Sequence, residues 1–383
     1  MKCENLFDRL FDRRGTASLK WEKYPSQVLP MWVADMDFPS PPAVIHALIE
    51  RARHGIYGYT LPPRDLPEVL MAWLHRRYGW QIEPDWLVWL PGLVCGLNIV
   101  CRAVGNPGDA VITLTPIYPP FLSAPKNQQR VLHTCPMIST NGKPCIDFFQ
   151  FERMLTPNTE LFLFCNPHNP AGRVFSREEL ERTAEVCLRH DLIICSDEIH
   201  CDLILDTDKR HIPLATLDPE IARRTITLMA PSKTFNLPGL GFSFAIISDV
   251  ELRRQFKRAM EGIVPWPNLF GYTAALAAYR DGEEWLRELL IYLRGNRDLL
   301  VRRINAMPAL SCYSPEATYL AWIDAQNLPV DNPHDFFLKA GVGLSDGVDF
   351  AAPRFLRMNF GCPRKRLEEA LQIMAAALNE LRS

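Results

Sequence analysis

Apolar positions in the middle of the chain alternate between two rhythms. Short continuous runs, Leu87-Val88-Trp89-Leu90, Ala110-Val111-Ile112-Thr113-Leu114, Leu161-Phe162-Leu163-Phe164-Cys165, Leu192-Ile193-Ile194-Cys195-Ser196 and Thr225-Ile226-Thr227-Leu228-Met229, have the character of strands covered on both faces. Between them the spacing turns helical. Ser176-Arg177-Glu178-Glu179 forms a capping box that opens a helix running to Arg189. Strands therefore alternate with helices over residues 85–250, the pattern of a parallel sheet with right-handed crossovers. Upstream, the spacing predicts helices over 43–53 and 66–78, and further elements are a strand near Val131 and a helix over 148–155. Downstream come a strand over 244–247, a helix over 250–260, and a long helical region over 269–307 interrupted at Asp281-Gly282. The remainder suggests a smaller α/β unit, with strands over 319–323 and 355–360, a helix over 335–340 and a last helix from Lys365. Residues 1–30 are charged and irregular, and no internal repeat is found.

Composition narrows the function classes. Of 383 residues, 48% are hydrophobic and 22% charged, the balance of an ordinary globular protein. A formal net charge of -2 gives no electrostatic reason for a nucleic acid or an acidic membrane as partner. No apolar run is long enough to span a bilayer, and the first residues alternate in charge where a signal peptide needs an apolar core. The eleven cysteines are scattered with no Cys-x-x-Cys pair, so neither a zinc site nor a disulfide framework is expected, and no metal is assigned. The expected location is cytoplasmic.

Chemistry concentrates at strand ends. Asn166-Pro167-His168-Asn169-Pro170-Ala171-Gly172-Arg173, Asp197-Glu198-Ile199-His200 and Ser232-Lys233 each follow a predicted parallel strand, the edge where open α/β sheets bind ligands. A lysine just past a buried strand loses its charge easily and becomes nucleophilic, which suits a Schiff base. The turn Pro91-Gly92-Leu93-Val94-Cys95-Gly96 leads from strand to helix and offers free amides suited to phosphate. Tyr118 is mounted rigidly between prolines. The segment Trp32-Val33-Ala34-Asp35-Met36-Asp37-Phe38 has two readings, a buried connector whose aspartates bond local amides or a pocket wall, and the aromatic loop Trp266-Pro267-Asn268 is a second candidate wall.

These segments, with Tyr57-Gly58-Tyr59, Ala230-Pro231-Ser232-Lys233-Thr234-Phe235-Asn236 and Arg357-Met358-Asn359-Phe360, carry a resemblance that spans nearly the whole chain. The sequence resembles fold-type I pyridoxal phosphate (PLP) enzymes of the aspartate aminotransferase superfamily, and is most similar to the MalY/PatB family of cystathionine β-lyases. The resemblance implies a PLP-dependent transferase-like α/β fold. Its large cofactor-binding domain would cover 46–274, and a small domain would combine 1–45 with 275–383. It also implies roles for individual residues. Lys233 would join the cofactor as a Schiff base and shuttle the α-proton. Asp197 would pair with the pyridine nitrogen, Asn169 would bond the phenolic oxygen, and Tyr118 would stack on the ring and serve catalysis. Ser232 and the amides near Val94 and Cys95 would hold the phosphate, with Tyr59 reaching the partner subunit's phosphate across a homodimer. His200 would stand beside the cofactor, while Arg357, with Ala34 and Asn169, would receive the substrate carboxylate. The implied substrate is a small amino-acid thioether, L-cystathionine or a related cysteine conjugate. Where many aminotransferases of the superfamily place a phosphate arginine, this chain has Gly241, which counts against the alternative, a class I/II aminotransferase. Proteins of this kind can also hold a transcriptional activator inactive, so the resemblance implies a secondary regulatory role on the surface.

Overall fold

The computed structural model describes residues 6–140 and 142–381. The charged start of the chain, 1–5, lies outside the described residues, and no described helix is long and apolar enough to cross a membrane. A seven-stranded sheet runs in the order Leu87–Leu90, Ser243–Ile246, Thr225–Met229, Ile193–Asp197, Thr159–Cys165, Ala110–Thr115, Val131–Pro136. The last five are mutually parallel. Three of them, Thr225–Met229, Thr159–Cys165 and Ala110–Thr115, are buried at nearly every residue, as their continuous apolar runs require.

One strand departs from the expected pattern. Ser243–Ile246 runs antiparallel to both of its neighbours. The stretch joining it to Thr225–Met229 holds only the one-turn helix Pro231–Thr234 and the 3-10 turn Pro238–Leu240. Without a crossover helix the chain turns back instead of passing over the sheet. Two reversals leave Leu87–Leu90 pointing the same way as the parallel strands. Six strands thus deliver their carboxyl ends to one edge.

The proline-rich stretch after Tyr118 is a helix, Pro119–Asn127, which the sequence reading leaves unassigned. Two of its three prolines, Pro119 and Pro120, occupy the first turn, where no amide partner is lost and the fixed φ suits the helix, while Pro125 lies inside it. A second sheet, ordered Ser311–Cys312, Leu320–Asp324, Phe355–Asn359, Ser345–Asp346, is wholly antiparallel. The helices Glu283–Asn305 and Arg364–Glu380 pack on each other beside it.

The N-terminal segment binds these parts together. Leu29–Pro30 pairs in parallel with Val342–Gly343. Beyond it the chain runs extended, and successive carbonyls are taken up by distant side chains. Trp32 O accepts from Arg357 Nη2 and Ser345 Oγ, each at 3.0 Å. Asn359 Nδ2 donates to Val33 O and Asp35 O, both at 2.6 Å. Ala34 O accepts from Tyr319 Oη at 2.9 Å, and Met36 O from Asn236 Nδ2 at 2.9 Å. An irregular buried segment needs such partners for every polar group.

Candidate active site

A cavity of about 740 Å³ opens at the shared strand edge. Lys233, Asp197, Asn169, Tyr118, Ser232, Val94, Cys95, His200, Arg357 and Ala34 all line it. The sequence places them on seven separate segments; the sheet register and the turn lengths bring them together. Cys165 pairs with Asp197, and Asp197 with Leu228, so the Asn166, Asp197 and Lys233 turns stand side by side.

Lys233 sits inside the one-turn helix Pro231–Thr234, and its Nζ donates to Ala34 O at 2.6 Å. Burial pushes its ammonium down to about 8; Asp35 and Asp197 oppose the fall and Arg357 adds to it. Its neighbour Thr234 is tied down through Oγ1 to Asp202 Oδ2 at 3.0 Å, and Asp202 also accepts from Trp73 Nε1. Asn236, at φ 57, fastens the end of the turn to Met36 and Phe38. The lysine is thus held from both sides.

Asp197 is buried at the end of its strand, and its Oδ1 accepts from Ile199 N at 3.1 Å. Desolvation pushes its carboxyl up to about 7, with a smaller push from Glu198, against the Ile199 amide and Lys233. A buried cation beside it would restore the carboxylate. Glu198 points away, into a bonded set with Ser196 Oγ, His211 Nε2 and Leu214 N. His200 lies at the cavity with an unpartnered Nδ1, and burial with Lys233 and Arg357 nearby pushes its pKa down to about 3, so the ring is neutral.

Arg357 is buried. Its Nη1 donates to Asn169 Oδ1 at 3.1 Å and its Nη2 to Trp32 O and Ser345 Oγ, while Nε has no partner among the described residues. Burial pushes the guanidinium down to about 10, which Tyr118 and Tyr319 oppose. No carboxylate among the described residues pairs with it, so it is a buried cation open to an anion from the cavity.

Helix Leu93–Ala103 begins at the cavity wall, and its first-turn amides have no acceptor within the helix. With Ser232 they form an anion site at a helix N-terminus. Gly241 lines the same region at φ +60, and a Cβ there would meet Pro91 O at 3.3 Å. The backbone, as well as the sequence, keeps an arginine out of this position. A lysine amine, a buried carboxyl lacking a cation and an anion cradle fit PLP's aldehyde, pyridine nitrogen and phosphate in turn.

Several expectations are redrawn. Asp37 does not bond local amides: it pairs with Lys20 at 3.0 Å and Arg13 at 2.8 Å, and accepts from Trp21 Nε1. Burial alone would raise its carboxyl, but Lys20, Arg366, Trp21 and Arg13 outweigh that and hold it low. Asp35 pairs with Arg13 at 2.8 Å, while Trp32, Val33 and Ala34 do line the cavity, so the two readings of this segment divide by residue. The Trp266 loop is not a wall. Trp266 is 70% exposed, and Asn268 is spent capping helix Leu269–Asp281 through Gly271 N. His168 is buried against Phe175, away from the cavity. Tyr59 is fully exposed and outside the cavity of its own chain. Sequence reasoning missed Tyr319, which bonds Ala34 O behind the cavity wall, and also the lining residues Lys23, His334, Asp346, Val348, Asp349 and Phe350, none of which carries a motif.

Comparison with known proteins agrees with this geometry. A family model described as aminotransferase class I and II matches residues 26–374. Cystathionine beta-lyase PatB of Bacillus subtilis is 38% identical, over 97% of this chain and 100% of its own. The crystal structure of OvoB superposes with a TM-score of 0.96 at 47% identity, covering 98% of this chain and 99% of that one. The PLP-bound C-S lyase of Staphylococcus hominis superposes at 0.92 with 34% identity, covering 98% and 99%. The chain belongs to the aminotransferase class I and II family and, within it, to the PatB/MalY cystathionine β-lyases.

Proposed function

We propose that this protein is a PLP-dependent carbon–sulfur β-lyase that cleaves L-cystathionine or related L-cysteine S-conjugates to a thiol, pyruvate and ammonia. The observation that carries the proposal is the buried Lys233 amine, its pKa near 8, facing Asp197 and Arg357 across one cavity. PLP bound there supplies an electron sink for charge developing at the substrate Cα. Lys233 would hold it covalently, Asp197 would pair with the ring nitrogen, and Asn169 with the phenolic oxygen. Tyr118 would stack on the ring with His200 beside it, and Ser232 with the amides of Val94 and Cys95 would take the phosphate.

Each residue then has a physical task. Arg357 receives the α-carboxylate in a two-bond fork, with Asn169 fixing its plane and the wall at Ala34 limiting the pose. Lys233, whose ammonium burial pushes down to about 8, would hold a far larger neutral fraction near physiological pH than a free lysine, and in that neutral form would take the α-proton. Ala34 O, 2.6 Å from Nζ, keeps the amine in place while it waits. Loss of the thiolate from Cβ then needs no protein acid of low pKa, since a thiol leaves readily as its anion.

Several features of the assembly form part of the same reading. Residues 46–274 would make the cofactor-binding domain, and 1–45 with 275–383 the small one. The protein would work in the cytoplasm as a homodimer, with the exposed Tyr59 reaching the partner's phosphate site. Capture of a transcriptional activator on the surface is a secondary role, tested by a pull-down that Lys233→Ala leaves intact.

The test is the absorbance spectrum of the purified protein before and after L-cystathionine, with pyruvate and ammonia assayed. A band at about 420 nm that Lys233→Ala abolishes, with pyruvate and ammonia released together, is expected. Conversion to the amine form of the cofactor without pyruvate would replace the lyase with an aminotransferase. No band after adding PLP would overturn both.

A further inference from the structure

Two cations share one tryptophan at the cavity. The Trp32 carbonyl takes Arg357 Nη2 at 3.0 Å, and the Trp32 ring carries Lys23 Nζ at 3.9 Å from its centroid. The ring does not swing freely, because its Nε1 donates to Lys20 O at 3.2 Å and Tyr24 packs edge-on at 6.3 Å. Lys23 Nζ also stands 5.0 Å from the Tyr24 ring, so two aromatic faces hold one ammonium in place.

Lys23 has no counter-ion. Among the described residues no carboxylate comes within 4.0 Å of its Nζ. Most other cations near this segment are spent: Arg13 and Lys20 on Asp35 and Asp37, and Arg366 on Asp37. Among the described residues Lys23, like Lys233 and Arg357, lines the cavity without a carboxylate partner, and of these three it is the exposed one while Arg357 is buried. Asp346 and Asp349 line the mouth as well, and the Asp346 carboxylate accepts from Val348 N at 3.1 Å. The cavity exit is therefore marked with both signs of charge.

We infer that Lys23 is a specificity residue: it receives a carboxylate carried by the thiol half of the substrate. Thioethers that join two amino acids are then preferred over simple S-alkyl cysteines. The inference rests on the lyase reading and deepens it. With Arg357 holding the α-carboxylate, the sulfur substituent must point out along the Trp32 ring. Covalent geometry limits the separation of the two cations to roughly 13 Å, a span that a molecule with a carboxylate at each end can bridge. The aspartates at the mouth repel a leaving group that is only anionic and accept one that also carries an ammonium.

The test compares holoenzyme, Lys23→Met and Lys23→Arg on L-cystathionine and S-ethyl-L-cysteine. KM and kcat come from pyruvate release, and Kd from the change in cofactor absorbance on binding. Methionine keeps an apolar stem on the Trp32 ring while removing the charge. Lys23→Met should raise KM and Kd for L-cystathionine about tenfold, the loss of one charge-assisted contact, and leave kcat and both S-ethyl-L-cysteine constants within about twofold. Lys23→Arg should restore L-cystathionine binding. Equal changes for both ligands, or none for L-cystathionine, would overturn the inference. Absence of pyruvate from either compound with the unaltered enzyme would instead refute the lyase reading, and the two Kd values would still decide the role of Lys23.

Discussion

Lys233 and Arg357 show how much of this site depends on desolvation. Arg357 is buried and Lys233 half-buried, and desolvation lowers the pKa of both, the lysine to about 8 and the arginine to about 10. In cofactor-free protein the Lys233 amine should become half reactive toward an acylating reagent near pH 8, with the rate rising as pH rises, whereas an exposed lysine reacts near 10.5. Mass analysis of the Lys233 peptide across pH would check this. Arg357→Lys keeps the charge and removes the fork. KM should rise about 10–100-fold, matching one lost hydrogen bond to a charged group, with a smaller change in kcat. Lys233 was legible because it follows an apolar strand within a motif, whereas Arg357, inside the strand Phe355–Asn359, was legible only through the segment Arg357-Met358-Asn359-Phe360 that carries the resemblance. Lys23 and Tyr319 were not. Their part comes from a ring contact with Trp32 and a bond to Ala34 O, across 9 and 285 residues, and no local pattern encodes either.

The strand-end turns, as elements, convert sequence order into a site. The parallel strands were readable from their doubly buried apolar runs, whereas the reversal at Ser243–Ile246 was not, since an apolar strand has the same composition in either direction. The N-terminal segment was half readable. Its aspartates announced something special, but the partners Arg13, Lys20 and Arg366 lie in a charged, irregular start and in the last helix, and no spacing links them. Asp37→Asn should leave Lys20, itself fully buried, with one weaker partner, Asp35 at 3.8 Å. Breaking such a pair costs about 3–5 kcal/mol, visible as a lower urea midpoint at unchanged slope. Because the same segment forms the cavity wall at Trp32 to Ala34, cofactor affinity should fall with stability.

At the scale of the whole molecule, the exposed Tyr59 bears on the proposed dimer. If Tyr59 completes the partner's site, Tyr59→Ala and Lys233→Ala are defects in different halves of that site. Mixed and re-paired, the two inactive variants should recover about a quarter of the unaltered activity, since half of the random pairs hold one intact site of two. Recovery of nothing would place Tyr59 elsewhere. The stitched segment has a further bearing on how the protein is made. Four of the five carbonyls from Trp32 to Met36 take a partner beyond residue 318: Ser345 and Arg357 for Trp32, Asn359 for Val33 and Asp35, Tyr319 for Ala34. A ribosome adding about 5–20 residues each second needs roughly 15–60 s to pass from the first of these groups to the last. Throughout that interval the emerging chain has a wall of the site that lacks its late partners and is fastened by Lys20 and, once they are made, Lys233 and Asn236. A message cut short between the codons for Asn236 and Asn359 therefore yields a polypeptide with every proposed cofactor residue but with this wall of the cavity only partly fastened.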